Sequence, residues 1–262
     1  MEIIVCIKQV PDTAAKIKIA SGGKSIDLTD VEMVLNPFDE YAVEEALRIK
    51  GAKGGKTTVV TFGPERTSQV LRQCLAMGID DAIHIKCDDA DSSDPLVTAT
   101  VLSEVIKTLP YDLILFGKQG VGTDNAQVPA MVAEILNLPQ ALVITKLKLI
   151  SEKQAVAHYE VEGGIATVEV KLPAVFSTEK GINEPRYPTL KGIMASKKKP
   201  IREIKLADIG ISDSQVGTSG SKLLINKLMP PPSRPEGKLL TGDAKETVNQ
   251  LINLLRNEAK IL

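Results

Sequence analysis

Short β-branched runs alternate with helical patterns of roughly 10–15 residues as far as Pro139, and this alternation limits the fold more than any other feature. Ile3 to Ile7 is a continuous apolar run stopped by Lys8-Gln9, the signature of a strand buried on both faces. Thr57–Phe62, Ala82–Ile85 and Leu113–Phe116 repeat it. Between them, Asn36 reads as an N-cap and Pro37 as the first position of a helix running to about Lys50, with Asp39 and Glu40 at its positive start. Further helices are expected from Glu65 to Met77, closed by Gly78, from Asp94-Pro95 to near Leu109, and from about Ala126 to Leu136. Strands buried on both faces and separated by helices predict an α/β fold with a doubly wound, mostly parallel sheet in three layers.

The pattern changes after Pro139. Leu142–Ile150, Ala155–Val161 and Ile165–Lys171 read as strands, and Gly163-Gly164 between the last two is a hairpin signal. An antiparallel hairpin addition to the same sheet is therefore expected. Lys16–Ile19 alternates like a short, half-exposed strand, and residues 178–201 read as irregular. Pro230-Pro231-Pro232-Ser233-Arg234-Pro235 can form neither helix nor central strand and reads as an extended strap. Beyond it a last helix, from about Asp243 to Lys260, carries Val248, Leu251, Ile252, Leu254 and Leu255. The expected division is an α/β unit over 1–222 and a C-terminal arm over 223–262.

Composition excludes several classes. Lys and Arg number 32 against 33 Asp and Glu, so the net charge of −1 argues against nucleic acid as a partner. No run of about 18 apolar residues predicts a membrane span, and the chain opens directly on a strand. Cys6, Cys74 and Cys87 are odd in number and far apart, as reduced thiols would be, so a cytoplasmic protein is expected. Gly55-Lys56-Thr57 and Gly23-Lys24-Ser25 lack the glycine five positions upstream that a phosphate loop needs. His84 and His158 both sit within strand patterns, and no cluster at metal-ligand spacing exists. Side-chain catalysis has little to stand on, so neither an enzyme nor a metal site is expected.

The run Gly117-Lys118-Gln119-Gly120-Val121-Gly122-Thr123-Asp124-Asn125-Ala126-Gln127 follows a buried strand and opens a helix. Open α/β sheets bind ligands at that carboxyl-end position, where glycines let backbone N–H groups approach an anion. Read alone, it is equally an ordinary glycine-rich turn. The Asn36-Pro37-Phe38-Asp39 helix start faces the same crevice, or is simply a well-capped helix. A third stretch, within 182–201, frames Leu190, Ile193 and Met194 with Lys191, Lys197, Lys198 and Lys199. An apolar tip inside a basic rim suits a partner's pocket, or is a solvated loop.

These residues carry a specific resemblance. Val5-Cys6-Ile7-Lys8-Gln9-Val10-Pro11-Asp12, Asn36-Pro37-Phe38-Asp39-Glu40 with Ala42-Val43-Glu44-Glu45-Ala46, Ala76-Met77-Gly78, Gly117-Lys118-Gln119, Leu172-Pro173-Ala174-Val175, Asn183-Glu184-Pro185-Arg186-Tyr187 and Lys197-Lys198-Lys199 fall in order along the chain. Together the chain resembles the β subunit of the electron transfer flavoproteins along essentially its whole length.

The resemblance implies a heterodimer whose α subunit holds the redox-active FAD, and a β subunit that binds AMP and reaches toward α with a C-terminal arm. It implies an electron carrier serving acyl-CoA-type dehydrogenases and a downstream oxidoreductase or quinone. By position, the nucleotide falls to Cys6, Asn36, Pro37, Phe38, Asp39, Phe62 and the loop Gly120, Val121, Gly122, Thr123, Asp124, Asn125, Ala126, Gln127 and Val128, continuing to Met131. Leu190 resembles the plug of the family's recognition loop, with Lys197 to Lys199 as its basic flank. Ala126-Gln127-Val128 and Pro11-Asp12-Thr13 instead resemble members that hold a second FAD in β and bifurcate electrons, while Asn36 to Glu40 resembles the AMP type.

Overall fold

The computed structural model describes residues 1–233 and 236–262, so Arg234 and Pro235 of the expected strap lie outside the described residues. The chain enters through β1 (Glu2–Cys6) and passes two small antiparallel ladders. These are β2 (Gln9–Pro11) with β5 (Met33–Leu35), and β3 (Lys18–Ile19) with β4 (Ile26–Asp27). Then α1 (Pro37–Lys53), β6 (Lys56–Gly63), α2 (Ser68–Met77), β7 (Asp81–Lys86) and α3 (Pro95–Ile106) follow in alternation. After α3 come β8 (Leu113–Gly117) and α4 (Val128–Ile135). The antiparallel strands are β9 (Gln140–Ser151), β10 (Gln154–Val161) and β11 (Gly164–Lys171).

All the longer strands join one nine-stranded sheet, ordered β11-β10-β9-β12-β8-β1-β6-β7-β13. The strands from β9 to β13 in that order pair parallel, and β9-β10-β11 extends one edge antiparallel. The predicted hairpin is thus on the same sheet. Two members go unpredicted: β12 (Ala174–Thr178), which inserts between β9 and β8, and β13 (Ile201–Lys205), an edge strand beside β7. In β13 only Ile204 is buried, so its charged residues hide a strand pattern that a buried strand would show.

Alternation along the strands sorts the core into two layers. Ile3, Val5, Leu113 and Leu115 point to one face, where Ala42, Val43, Leu71 and Cys74 of α1 and α2 pack. Ile4, Cys6, Ile114 and Phe116 point to the other, against Val101, Val105 and Val132 of α3 and α4. Each fully buried Leu or Ile contributes about 1.5–3 kcal/mol by leaving water, so the aliphatic core needs no tryptophan.

Helix α3 starts as expected: the Asp94 side chain accepts from the Val97 amide at 2.9 Å. Helix α4 starts at Val128, two residues later than Ala126, because Asp124 and Ala126 hold φ values of 49° and 50°. Within 178–201 the chain is not wholly irregular, since α5 (Leu190–Ser196) forms there. A four-residue turn of helix, α6 (Gly217–Gly220), precedes the arm. Residues 222–233 have no regular structure, and α7 (Ala244–Asn253), continued by a wider turn through Glu258, ends the chain.

Candidate functional site

From β1 the chain crosses to β6 and β7 on one side, then returns to β8 on the other. The carboxyl ends of β1 and β8 are therefore where the winding reverses, the crevice in which open α/β sheets take ligands. A cavity of about 220 Å³ lies there. A broader concavity of about 670 Å³ lies against the antiparallel extension, lined by residues such as Leu142, Tyr159 and Val168. It holds none of the sequence-predicted residues, and the cleft at the strand ends is the chemically equipped one.

Asp39 and Asn36 build the cleft from beneath. Asp39 Oδ2 accepts the Lys8 amide at 2.7 Å and Oδ1 accepts the Gly117 amide at 3.1 Å, tying the ends of β1 and β8 to the first turn of α1. Gly117 must be glycine, since a Cβ there would stand 2.4 Å from Asp39 Oδ1 and 2.5 Å from the Phe38 carbonyl carbon. Asn36 occupies the N-cap position but does not cap. Its Nδ2 donates to the Gln119 carbonyl at 2.8 Å and its Oδ1 accepts the Val121 amide at 3.2 Å, so it fastens the glycine loop to the helix start instead.

The loop itself folds tightly. Thr123 and Asp124 amides donate to the Gly120 carbonyl at 3.3 and 3.0 Å, and Gln119 Nε2 donates to Asp124 Oδ1 at 2.8 Å. Gly122 at φ 91° makes the turn that lets it close. The amides of Asn125, Ala126 and Gln127 then have no protein acceptor among the described residues, just where α4 begins. Such N–H groups at a helix start favour an anion.

Of the predicted nucleotide residues, Cys6, Asn36, Asp39 and Phe62 line the cleft, as do Gly120, Thr123, Asn125, Ala126, Gln127 and Val128. Pro37, Phe38, Val121, Gly122 and Asp124 are not among the residues that line it. Pro37 begins α1, and the Phe38 ring lies 5.9 Å under the Lys118 ammonium, which pairs with Glu179 at 2.5 Å. Lys8 and Gln9, which the sequence offers only as part of a matching segment, line the cleft too, as do Thr67, Asp91 and Thr98, to which no sequence motif pointed. The carboxyl-end rule, applied to β1, β6 and β7 as well as β8, points to them.

The electrostatics do not suit nucleophilic chemistry. Burial pushes the Cys6 thiol well above its ordinary range, with Asp39 adding to the effect. Burial also raises Asp39 to about 7, against the pull of the Lys8 amide, the Asn36 side chain and the Gly117 amide. His84 is packed, its Nε2 2.9 Å from both the Gly63 carbonyl and Thr67 Oγ1. No metal-holding group of His, Cys, Asp and Glu occurs among the described residues, and no helix among them is long and apolar enough to cross a membrane.

The second candidate surface stands apart on α5. Leu190 and Met194 are 76% and 64% exposed, Ile193 is exposed beside them, and Lys191, Lys197 and Lys198 are exposed too. Lys199 is half-buried and donates to the Ile79 carbonyl at 2.6 Å, so it fastens the loop. Arg72 donates to the carbonyls of Ser196 and Lys199, and Thr189 Oγ1 caps the helix at the Gly192 amide. Upstream, Arg186 clasps Glu44 with Nε at 2.7 Å and a terminal nitrogen at 2.9 Å.

A family model described as the electron transfer flavoprotein domain matches residues 25–209. The chain is 39% identical to the electron transfer flavoprotein subunit beta of Bacillus subtilis, covering 100% of both chains. It is 38% identical to the subunit of the same name in Mycobacterium tuberculosis, over 97% of each chain. With that of Bradyrhizobium diazoefficiens it shares 37% identity, again over 100% of both.

Proposed function

The chain belongs to the electron transfer flavoprotein family, among its β subunits, and from that premise we propose that it is the nucleotide-bearing, partner-docking half of a heterodimeric electron carrier. The chemistry is supplied by an FAD held mainly in the α partner, through its reversible reduction. This chain's own part is to bind, orient and dock. Electrons pass between acyl-CoA-type dehydrogenases and a downstream oxidoreductase or quinone in the cytoplasm.

The observation that carries the nucleotide reading is the set of free amides at Asn125, Ala126 and Gln127, opening onto a cleft at the sheet's switch point. An adenine nucleotide's phosphate fits those donors, and AMP is the ligand assigned to the cleft. Pro37, Phe38, Val121, Gly122 and Asp124 adjoin the lining positions in sequence without lining the cleft themselves. The α5 tip, with Leu190 as plug, meets the dehydrogenase. Residues 223–262 form the arm that engages α, and 1–222 form the α/β unit.

A second reading places another FAD in this cleft, as in bifurcating members, and Ala126-Gln127-Val128 favours it. Co-purification with the α subunit, flavin quantitation and mass spectrometry of released nucleotide separate the two. One FAD and one AMP per heterodimer is the expected result. Two FAD per heterodimer assigns the β cleft to flavin, and a complex without flavin removes the electron-carrier reading.

A further inference from the structure

Lys8 is the one basic side chain among the residues that line the cleft. Its backbone is pinned from both sides: its amide donates to Asp39 at 2.7 Å, and its carbonyl accepts the Asn36 amide at 2.9 Å. That leaves the side chain to cross the glycine loop. Lys8 Nζ lies 3.2 Å, and Cδ 3.0 Å, from the point where a Cβ on Gly120 would stand.

The ammonium has three donors and, among the described residues, no carboxylate within 4.0 Å and no other hydrogen-bond acceptor. The acids around it are engaged elsewhere. Arg66 holds Asp91, Gln119 holds Asp124, and the Lys8 and Gly117 amides hold Asp39. The residue is exposed to solvent. Partial desolvation lowers its pKa, against the opposing pull of Asp39, Asp91 and Asp124. A partly desolvated cation without a protein partner, laid over a loop whose next amides are also free, is complementary to an anion.

We propose that Lys8, just beyond β1, is the charge partner of the nucleotide's phosphate, completing the donor set that the loop amides Asn125 to Gln127 begin. The proposal rests on the nucleotide reading above. It adds a side chain that discriminates a phosphorylated ligand from the bare nucleoside. Glycine at 120 leaves the Lys8 side chain room to cross the loop, since a Cβ there would press on its Cδ and Nζ.

Calorimetric titration of the full-length chain, stripped of nucleotide, with AMP and with adenosine tests this. For the unsubstituted chain AMP is expected to bind more tightly than adenosine. Lys8→Met should weaken AMP by about 10- to 100-fold, the worth of a charge-assisted hydrogen bond, and leave adenosine unchanged. Lys8→Arg should recover most of the AMP affinity, and thermal unfolding of both variants should match the parent. Equal loss for AMP and adenosine, or no loss for AMP, overturns the role of Lys8 alone. Failure of the unsubstituted chain to bind either ligand overturns the nucleotide reading and this proposal with it.

Discussion

Asp39 sits buried beneath the cleft with an amide on each carboxylate oxygen and the Asn36 side chain beside it. Burial still dominates and lifts its pKa from 3.8 to about 7. A carboxyl whose folded pKa is raised holds its proton in the native state after the unfolded chain has released it. Stability contributed by Asp39 is therefore greatest below pH 4 and falls as pH rises from about 4 to 7. Asp39→Asn should be less stable than the parent, because an amide cannot accept on both sides, but the gap should narrow between pH 5 and pH 8. Denaturant unfolding at the two pH values reads that gap, and a gap that widens contradicts the raised pKa. Gly117→Ala should cost about 1–3 kcal/mol in the same assay, since its methyl would collide with Asp39 and the Phe38 carbonyl carbon. At this scale the sequence was half legible. Asp39 and Gly117 stood in recognisable segments, whereas Asn36 offered a standard cap and is used as a cross-loop brace, a choice only the tertiary fold makes.

Helix α5 inverts the rule by which elements are read from sequence. Its apolar residues Leu190, Ile193 and Met194 face solvent, and the face toward the protein is made by Gly192, where a Cβ would meet the Ala76 carbonyl oxygen at 2.2 Å. Leu190, Ile193 and Met194 do fall at i, i+3 and i+4, but the helix is only seven residues long and that stripe faces solvent, so 178–201 read as irregular. The hidden edge strand β13 was missed for a related reason, because a strand with one buried residue carries almost no period. What holds α5 is polar: the Thr189 cap, Arg72 on the last carbonyls and Lys199 on Ile79. A tip fixed in advance loses little freedom on binding, which suits a docking plug. Leu190→Ala should leave thermal unfolding unchanged, as the side chain is exposed, and should slow electron transfer from the dehydrogenase partner. The loss expected for a hot-spot anchor is about 2 kcal/mol or more in the affinity of that encounter. Stopped-flow reduction of the flavin at varied dehydrogenase concentration separates affinity from intrinsic rate. An unchanged concentration dependence removes α5 as the dock.

Across the whole molecule the parallel sheet, its hairpin extension and the terminal helix were legible, because buried strands and capped helices follow local rules that the sheet order does not alter. The insertion of β12 between β9 and β8 was not, since it depends on a long-range pairing that no local pattern encodes. The net charge of −1 likewise says nothing of its distribution: the exposed lysines of α5 and the acids Asp88 to Asp94 lie in separate segments. One of those acids, Asp94, also roots the arm. Asp94 Oδ2 accepts the amides of Lys222 at 2.6 Å and Leu223 at 3.2 Å, and further along Leu228 donates to the Gly23 carbonyl at 2.7 Å. Beyond that point α7 keeps its own capping box at Asp243 and Glu246, yet Val248, Leu251 and Ile252 are 53%, 46% and 37% exposed. An amphipathic helix with its apolar side open contributes little to this chain's own stability and a great deal to association. A chain ending at Met229 should therefore unfold at nearly the same temperature as the parent and fail to co-elute with the α subunit in size-exclusion chromatography. Retained co-elution would show that α is held by the α/β unit alone, and a large drop in unfolding temperature would show that the arm packs at home.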